Sequence, residues 1–137
     1  MTAWAVNSLQ EQLTASTYQL PPSSPAPGAT VTVTSAVVTG HASVATVRGK
    51  KRFLYEFSIA VDWKLTEHSN ANGSLTFPDV DGTCQAGEPY DCTDFAVRHM
   101  DDPTIRPVLE TFVYRAGLRD SLHESIDAWV RLFKETY

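Results

Sequence analysis

From Phe53 to Lys64 the chain alternates without a fault. Phe53, Tyr55, Phe57, Ile59, Val61 and Trp63 take one side, and Leu54, Glu56, Ser58, Ala60, Asp62 and Lys64 take the other. A period of two is the geometry of a strand with one face on a core and the other largely in water. The same period begins at Ala29, with Val31, Val33 and Val37 expected on one face and Thr30, Thr32 and Thr34 on the other. Gly40 reads as a turn or bulge before a second strand through Val44 and Val47. After the third strand, HSNANG (68–73) has turn chemistry, and GSLTF (73–77) reads as a fourth strand stopped by Pro78. A loop of Gly, Asp and Pro follows, and the stretch from Cys92 to Val97 again has strand character.

The two ends of the chain follow a different period. Residues 4–16 place Trp4, Leu9 and Leu13 on roughly one side with no internal glycine or proline, which predicts a short helix. PPSSPAPG (21–28) then concentrates four of the eight prolines, blocks helix continuation and makes an extended connector. In the last third, Leu109, Phe112, Val113, Ala116, Leu122, Ile126, Trp129, Val130 and Phe133 recur at close to helical spacing. Asp101 or Asp102 suits the N-cap and Pro103 the first helical position, while Pro107 and Gly117 are places where the helix can break. The expected fold is α+β: an antiparallel meander of about four strands (29–99), with a short N-terminal helix (1–20) and a long C-terminal helix (101–137) packed on it. Residues 1–137 form one expected domain.

Composition narrows the class. The chain is 42% hydrophobic and 20% charged, with no apolar run near the roughly 20 residues that cross a bilayer. The first residues lack a basic region followed by an apolar one, so the expected compartment is the cytoplasm, with Cys84 and Cys92 as reduced thiols. A net charge of -5 opposes attraction of the whole domain to nucleic acid or anionic lipid. That charge is unevenly placed: Arg48, Lys50, Lys51 and Arg52 form one basic block, whereas residues 79–102 hold seven acids and the single base Arg98.

Catalytic chemistry is hard to find. His41, His68, His99 and His123 are scattered without ligand spacing, and Cys84 and Cys92 fit no zinc signature. GTCQAGEPYDC (82–92) opens no helix and carries acids that would repel phosphate. The acidic run lacks the order of a calcium loop. A hydrolase using Asp94 or His99 is the weakest reading, since nothing pairs them. The expectation is a non-enzyme without cofactor or metal. The block RGKKR (48–52) remains, and periodicity leaves three readings of it open: solvated charges that discourage edge pairing, a nucleic-acid or anionic-surface patch, or an electrostatic dock for an acidic protein surface.

GHASVATVRGKKRFLYEFSIAVDW (40–63) resembles the G-E-A-S-x-x-x-R-K-G-K-x-x-x-F-Y-E-W stretch in the N-terminal domain of the activators of the heat-shock protein 90 (Hsp90) ATPase. The match runs ungapped through Gly40, Ala42, Ser43, Gly49, Lys50, Tyr55 and Glu56. Supporting likenesses are the helix opening on Trp4, the LTFPDV strand exit (75–80), the acid-proline opening at Asp102 and Pro103, and Glu110 and Gly117 in the last helical segment. The resemblance implies a monomeric co-chaperone that docks on the middle domain of Hsp90 and raises its ATPase rate, with no nucleic acid or membrane as partner. The family's Lys-Gly-Lys falls on Arg48, Gly49 and Lys50, its preceding Arg falls on Val47, and Lys51 and Arg52 add charge. Arg48, Gly49, Lys50, Lys51 and Arg52 are therefore the candidate partner-binding residues. The family's motif upstream of the first helix and its second domain have no counterpart here, so the expected activation is weaker than that of a two-domain form.

Overall fold

The computed structural model describes residues 2–21, 28–67, 70–81 and 90–137. Helix α1 (Thr2–Thr14) leads into the short strand β1 (Thr17–Gln19), then β2 (Thr30–Val47), β3 (Lys50–Thr66), β4 (Ala71–Asp81) and β5 (Thr93–Met100). All neighbours are antiparallel, in the order β1-β2-β3-β4-β5, so the sheet is a meander. It has five strands rather than about four. The extra one, β1, lies in the stretch expected to be helical and is too short to show a period. A helical path follows: a 3₁₀ turn (Pro103–Ile105), α2 (Arg106–Leu109), a π-helical segment (Glu110–Arg115) and α3 (Leu118–Thr136).

β3 follows its sequence pattern to the residue. Tyr55, Phe57, Ile59, Val61, Trp63 and Leu65 are buried, and the side chains between them face away from the helices. α3 covers this face with Leu118, Leu122, Ile126, Trp129 and Phe133, spaced at three or four residues and all fully buried. Phe57 and Tyr55 meet Trp129 edge-on at 5.5 and 5.6 Å, and Phe53 meets Phe133 edge-on at 5.3 Å. Edge-to-face pairs of this kind add to the stabilisation from area burial alone. α1 contributes Ala5, Leu9 and Leu13 to the same core, and Trp129 donates its indole N–H to the Ser8 hydroxyl at 2.8 Å.

Four sequence expectations need correction. β2 is a single strand of 18 residues: Gly40 makes no turn and pairs in register with Phe57. A bulge after Val33 inserts Thr34, which reverses the alternation, so Ala36 and Val38 are buried and Val37 is exposed. Pro78 does not stop β4. It lies in a second bulge, between the pairs Ile59–Phe77 and Phe57–Val80, where the ladder needs no N–H from it. Ala71 and Asn72 belong to β4 rather than to the preceding turn, so the strand begins two residues before the expected Gly73.

The last helix is interrupted at Gly117 but not at Pro107, which lies inside α2 in a helical path that runs unbroken to Arg115. Asp102 caps the 3₁₀ turn by accepting from Thr104 N–H at 3.0 Å, and Pro103 follows it. Ala116 is extended and Gly117 has φ +60°, so α3 begins afresh at Leu118. The wide π turn directs Phe112 to stack on Tyr18 at 6.4 Å and Tyr114 to stack on Phe95 at 5.0 Å. Most of the connector (22–27), His68 and residues 82–89 with Cys84 and Glu88 lie outside the described residues. No helix among the described residues is long and apolar enough to cross a membrane.

Candidate functional site

The basic block occupies the tip of the β2–β3 hairpin. Val47 pairs with Lys50, leaving Arg48 and Gly49 as a two-residue loop with φ +52° and +76°. Positive φ at both central residues is what a type I′ turn requires, and this turn matches the twist of the strands it joins. Gly49 adopts that geometry freely, and space around it is open.

The tip stands beyond the rest of the sheet. Among the described residues the last β3–β4 pair is Glu56–Asp81, and α1 begins beside Ala42, whose carbonyl accepts from the Thr2 hydroxyl at 3.2 Å. From there to Lys50 the arm runs six residues of β3, about 20 Å at the usual strand rise. The cations stand on the end of a two-stranded arm, and the aromatic packing of Phe53 on Phe133 stiffens its base.

Pleating divides the cluster. Lys50 and Arg52 lie on the open face of the sheet, with Leu54 and Glu56, while Lys51 lies on the helix side with Phe53 and Tyr55. Lys51 Nζ donates to the main-chain oxygen of Tyr137. The Tyr137 ring packs edge-on against Trp4 at 5.1 Å and Phe133 at 5.8 Å. All four cations are exposed.

The open face also carries apolar groups that the alternation hides. Leu54 is 53% exposed opposite Ser43, beside Arg52, and Val47 is 43% exposed next to the turn. A depression of about 500 Å³ borders Leu54 and is lined by His41, Ser43, Phe53, Tyr55, Glu56 and Asp81. Leu54 and Ala60 are the two apolar members of the face that the alternation directs to water. Of the two, Leu54 is the larger, and it stands next to the fixed charges of the tip.

The other candidates do not converge. His99 Nε2 lies 2.6 Å from Asp101 Oδ1, an exposed pair without Asp94 in it. His123 is half-buried between Phe77 and Tyr90, and burial first, then the Arg119 charge, hold it below its usual 6.5. Cys92 is buried, which pushes its thiol up and keeps it a poor nucleophile. Among the described residues no three His, Cys, Asp or Glu side chains form a metal-binding group.

Known proteins agree with this architecture. The chain superposes on the crystal structure of Aha-1 from Plasmodium falciparum with a TM-score of 0.78 at 15% identity, covering 98% of this chain and 85% of that one. It superposes on the solution structure of the human Aha1 N-terminal domain with a TM-score of 0.62 at 18% identity, covering 96% and 90%. At such identities the likeness establishes the fold. No curated protein matches the sequence. The family model described as "Activator of Hsp90 ATPase, N-terminal" matches residues 1–137, the whole chain, and the protein belongs to that family.

Proposed function

We propose that this protein is a co-chaperone that docks on the middle domain of Hsp90 through the tip and open face of the β2–β3 arm and raises the chaperone's ATPase rate. Membership of the family supports the co-chaperone role. The observation that carries the site is the arm itself: three cations, Arg48, Lys50 and Arg52, at the end of a strand pair whose open face also exposes Leu54. Charge steers the encounter with an acidic surface and fixes its register, and the leucine supplies apolar contact once water is expelled.

A polyanion fits this surface less well. Glu56 and Asp81 lie on adjacent strands directly behind the cations, and a phosphate backbone following the face would meet their carboxylates. An acidic protein patch of limited extent can use the tip alone.

The test is the ATP turnover of Hsp90 with and without the chain, alongside binding to the isolated middle domain and to RNA. Wild type should bind the middle domain and accelerate turnover. The double variant Lys50→Glu, Arg52→Glu should lose both by at least tenfold while its unfolding midpoint stays put, because both residues are exposed. Equal turnover with and without wild-type protein, or RNA binding tighter than middle-domain binding, would remove the proposal.

A further inference from the structure

The basic block is not one functional group. β3 turns alternate side chains to opposite faces, so Lys51 points to the helix layer while Lys50 and Arg52 point away from it. Lys51 Nζ donates to the main-chain oxygen of Tyr137, directly after α3 ends at Thr136. Carbonyls in the last turn of a helix lack intrahelical partners and carry the negative end of its dipole, so an ammonium group is a suitable donor there. Tyr137 is itself fixed, its ring wedged against Trp4 and Phe133. Phe133 also receives Phe53, two residues along β3 from Lys51 on the same face. Lys51 and Phe53 are thus two successive contacts between the underside of the arm and the end of α3.

An arm of two strands needs such a support. Among the described residues neither β4 nor α1 reaches past Glu56 or Ala42, and an isolated two-stranded hairpin is marginally stable in water. A tip that swings would spread its charges over many directions and lose affinity to the ordering that binding then demands.

We infer that Lys51 is a positioning residue, a strut that fixes the cationic arm on the end of α3, whereas Arg48, Lys50 and Arg52 are the cations that meet the partner. The inference rests on the docking proposed above for its second half and on the free protein for its first. Two readouts separate these halves. The first is amide hydrogen exchange of residues 43–54 in the free protein. Lys51→Met should speed it roughly threefold, as loss of one exposed charged contact would, and Lys51→Arg should restore it, whereas Lys50→Met should leave it at the wild-type rate.

The second readout is the salt dependence of affinity for the Hsp90 middle domain. A cation that touches the partner contributes to that dependence, and one that positions its neighbours does not. Lys50→Met should flatten the dependence. Lys51→Met should weaken binding with the dependence unchanged, and Lys51→Arg should recover the affinity. Wild-type exchange in Lys51→Met, or a salt dependence flattened as much as in Lys50→Met, overturns the strut. If wild type does not bind the middle domain, the docking proposal fails on that result, and the exchange rates of the free protein still decide the role of Lys51.

Discussion

Gly40 and His123 are single positions where the fold leaves little freedom, the one for backbone and the other for charge. Gly40 has φ +133° in the middle of β2, and a Cβ there would sit 2.0 Å from the Glu56 carbonyl oxygen. Gly40→Ala should therefore cost about 3 kcal/mol or more, from strain and from separation of β2 and β3. Urea unfolding measures it, and a midpoint within error of wild type would contradict the register. His123 lacks a partner for Nε2 among the described residues and is held below 6.5 by burial and by Arg119, against the opposing pull of Asp120 and Asp127. The unfolded chain takes up that proton as the pH falls through about 6.5, and the folded chain resists until a lower pH. In that window the unfolded state binds more protons, so stability falls as the pH falls. Between pH 7.5 and 5.5 wild type should lose stability that His123→Gln does not lose, and parallel urea curves for the two would refute the assignment. The sequence showed Gly40 as a breaker without saying which kind, because a turn and a strand with positive φ use the same residue. It gave no sign of the His123 shift, since the neighbours responsible come from Phe77, Tyr90 and the preceding turn of α3.

At the scale of elements, α1 serves as the cover for an edge. β1 pairs only with residues 30–32 of β2, and from there to Ala42 the edge that faces away from β3 would be open to pairing with another chain. α1 lies there instead. The Gln10 side-chain oxygen accepts from the Val38 N–H at 3.1 Å, and the Thr2 hydroxyl donates to the Ala42 carbonyl. Gln10→Ala should cost about 1 kcal/mol, the usual penalty for orphaning a partly buried backbone donor. It should also speed exchange of the Val38 amide while leaving that of Ile59 in the sheet centre unchanged. An unchanged Val38 rate would mean that water already serves that group. The α1 period was legible in Trp4, Leu9 and Leu13, but Gln10 lies off that stripe and nothing local reveals its long-range bond. Bulges were illegible for a related reason. The insertion at Thr34 and the one near Pro78 are set by pairing with β3, so a period read along one strand carries through Val33 and fails at Val37. β3 is legible because no residue is inserted between Phe53 and Leu65, so the period holds along the whole aromatic face.

At the scale of the whole molecule, the polarised charge and the exposed leucine should act on different rate constants. The net charge is -5 although four cations are gathered at one tip, so the remainder of the chain is more acidic than the total implies. A molecule of this kind orients in the field of an acidic partner before contact, and the effect fades once salt shortens the screening length to about 8 Å or less. Lys50→Glu with Arg52→Glu should therefore lower the association rate with the Hsp90 middle domain and remove most of its dependence on salt. Leu54 carries no charge and cannot steer. It is 53% exposed beside Arg52, so its contribution comes after water has left the interface. Leu54→Ala should leave the association rate within about twofold and raise the dissociation rate by about tenfold, as loss of a central apolar contact does. Stopped-flow kinetics at two salt concentrations separates the cases. A charge reversal that acts only on dissociation, or a Leu54→Ala variant that dissociates like wild type, would show that the open face of the arm is not where the chaperone is met.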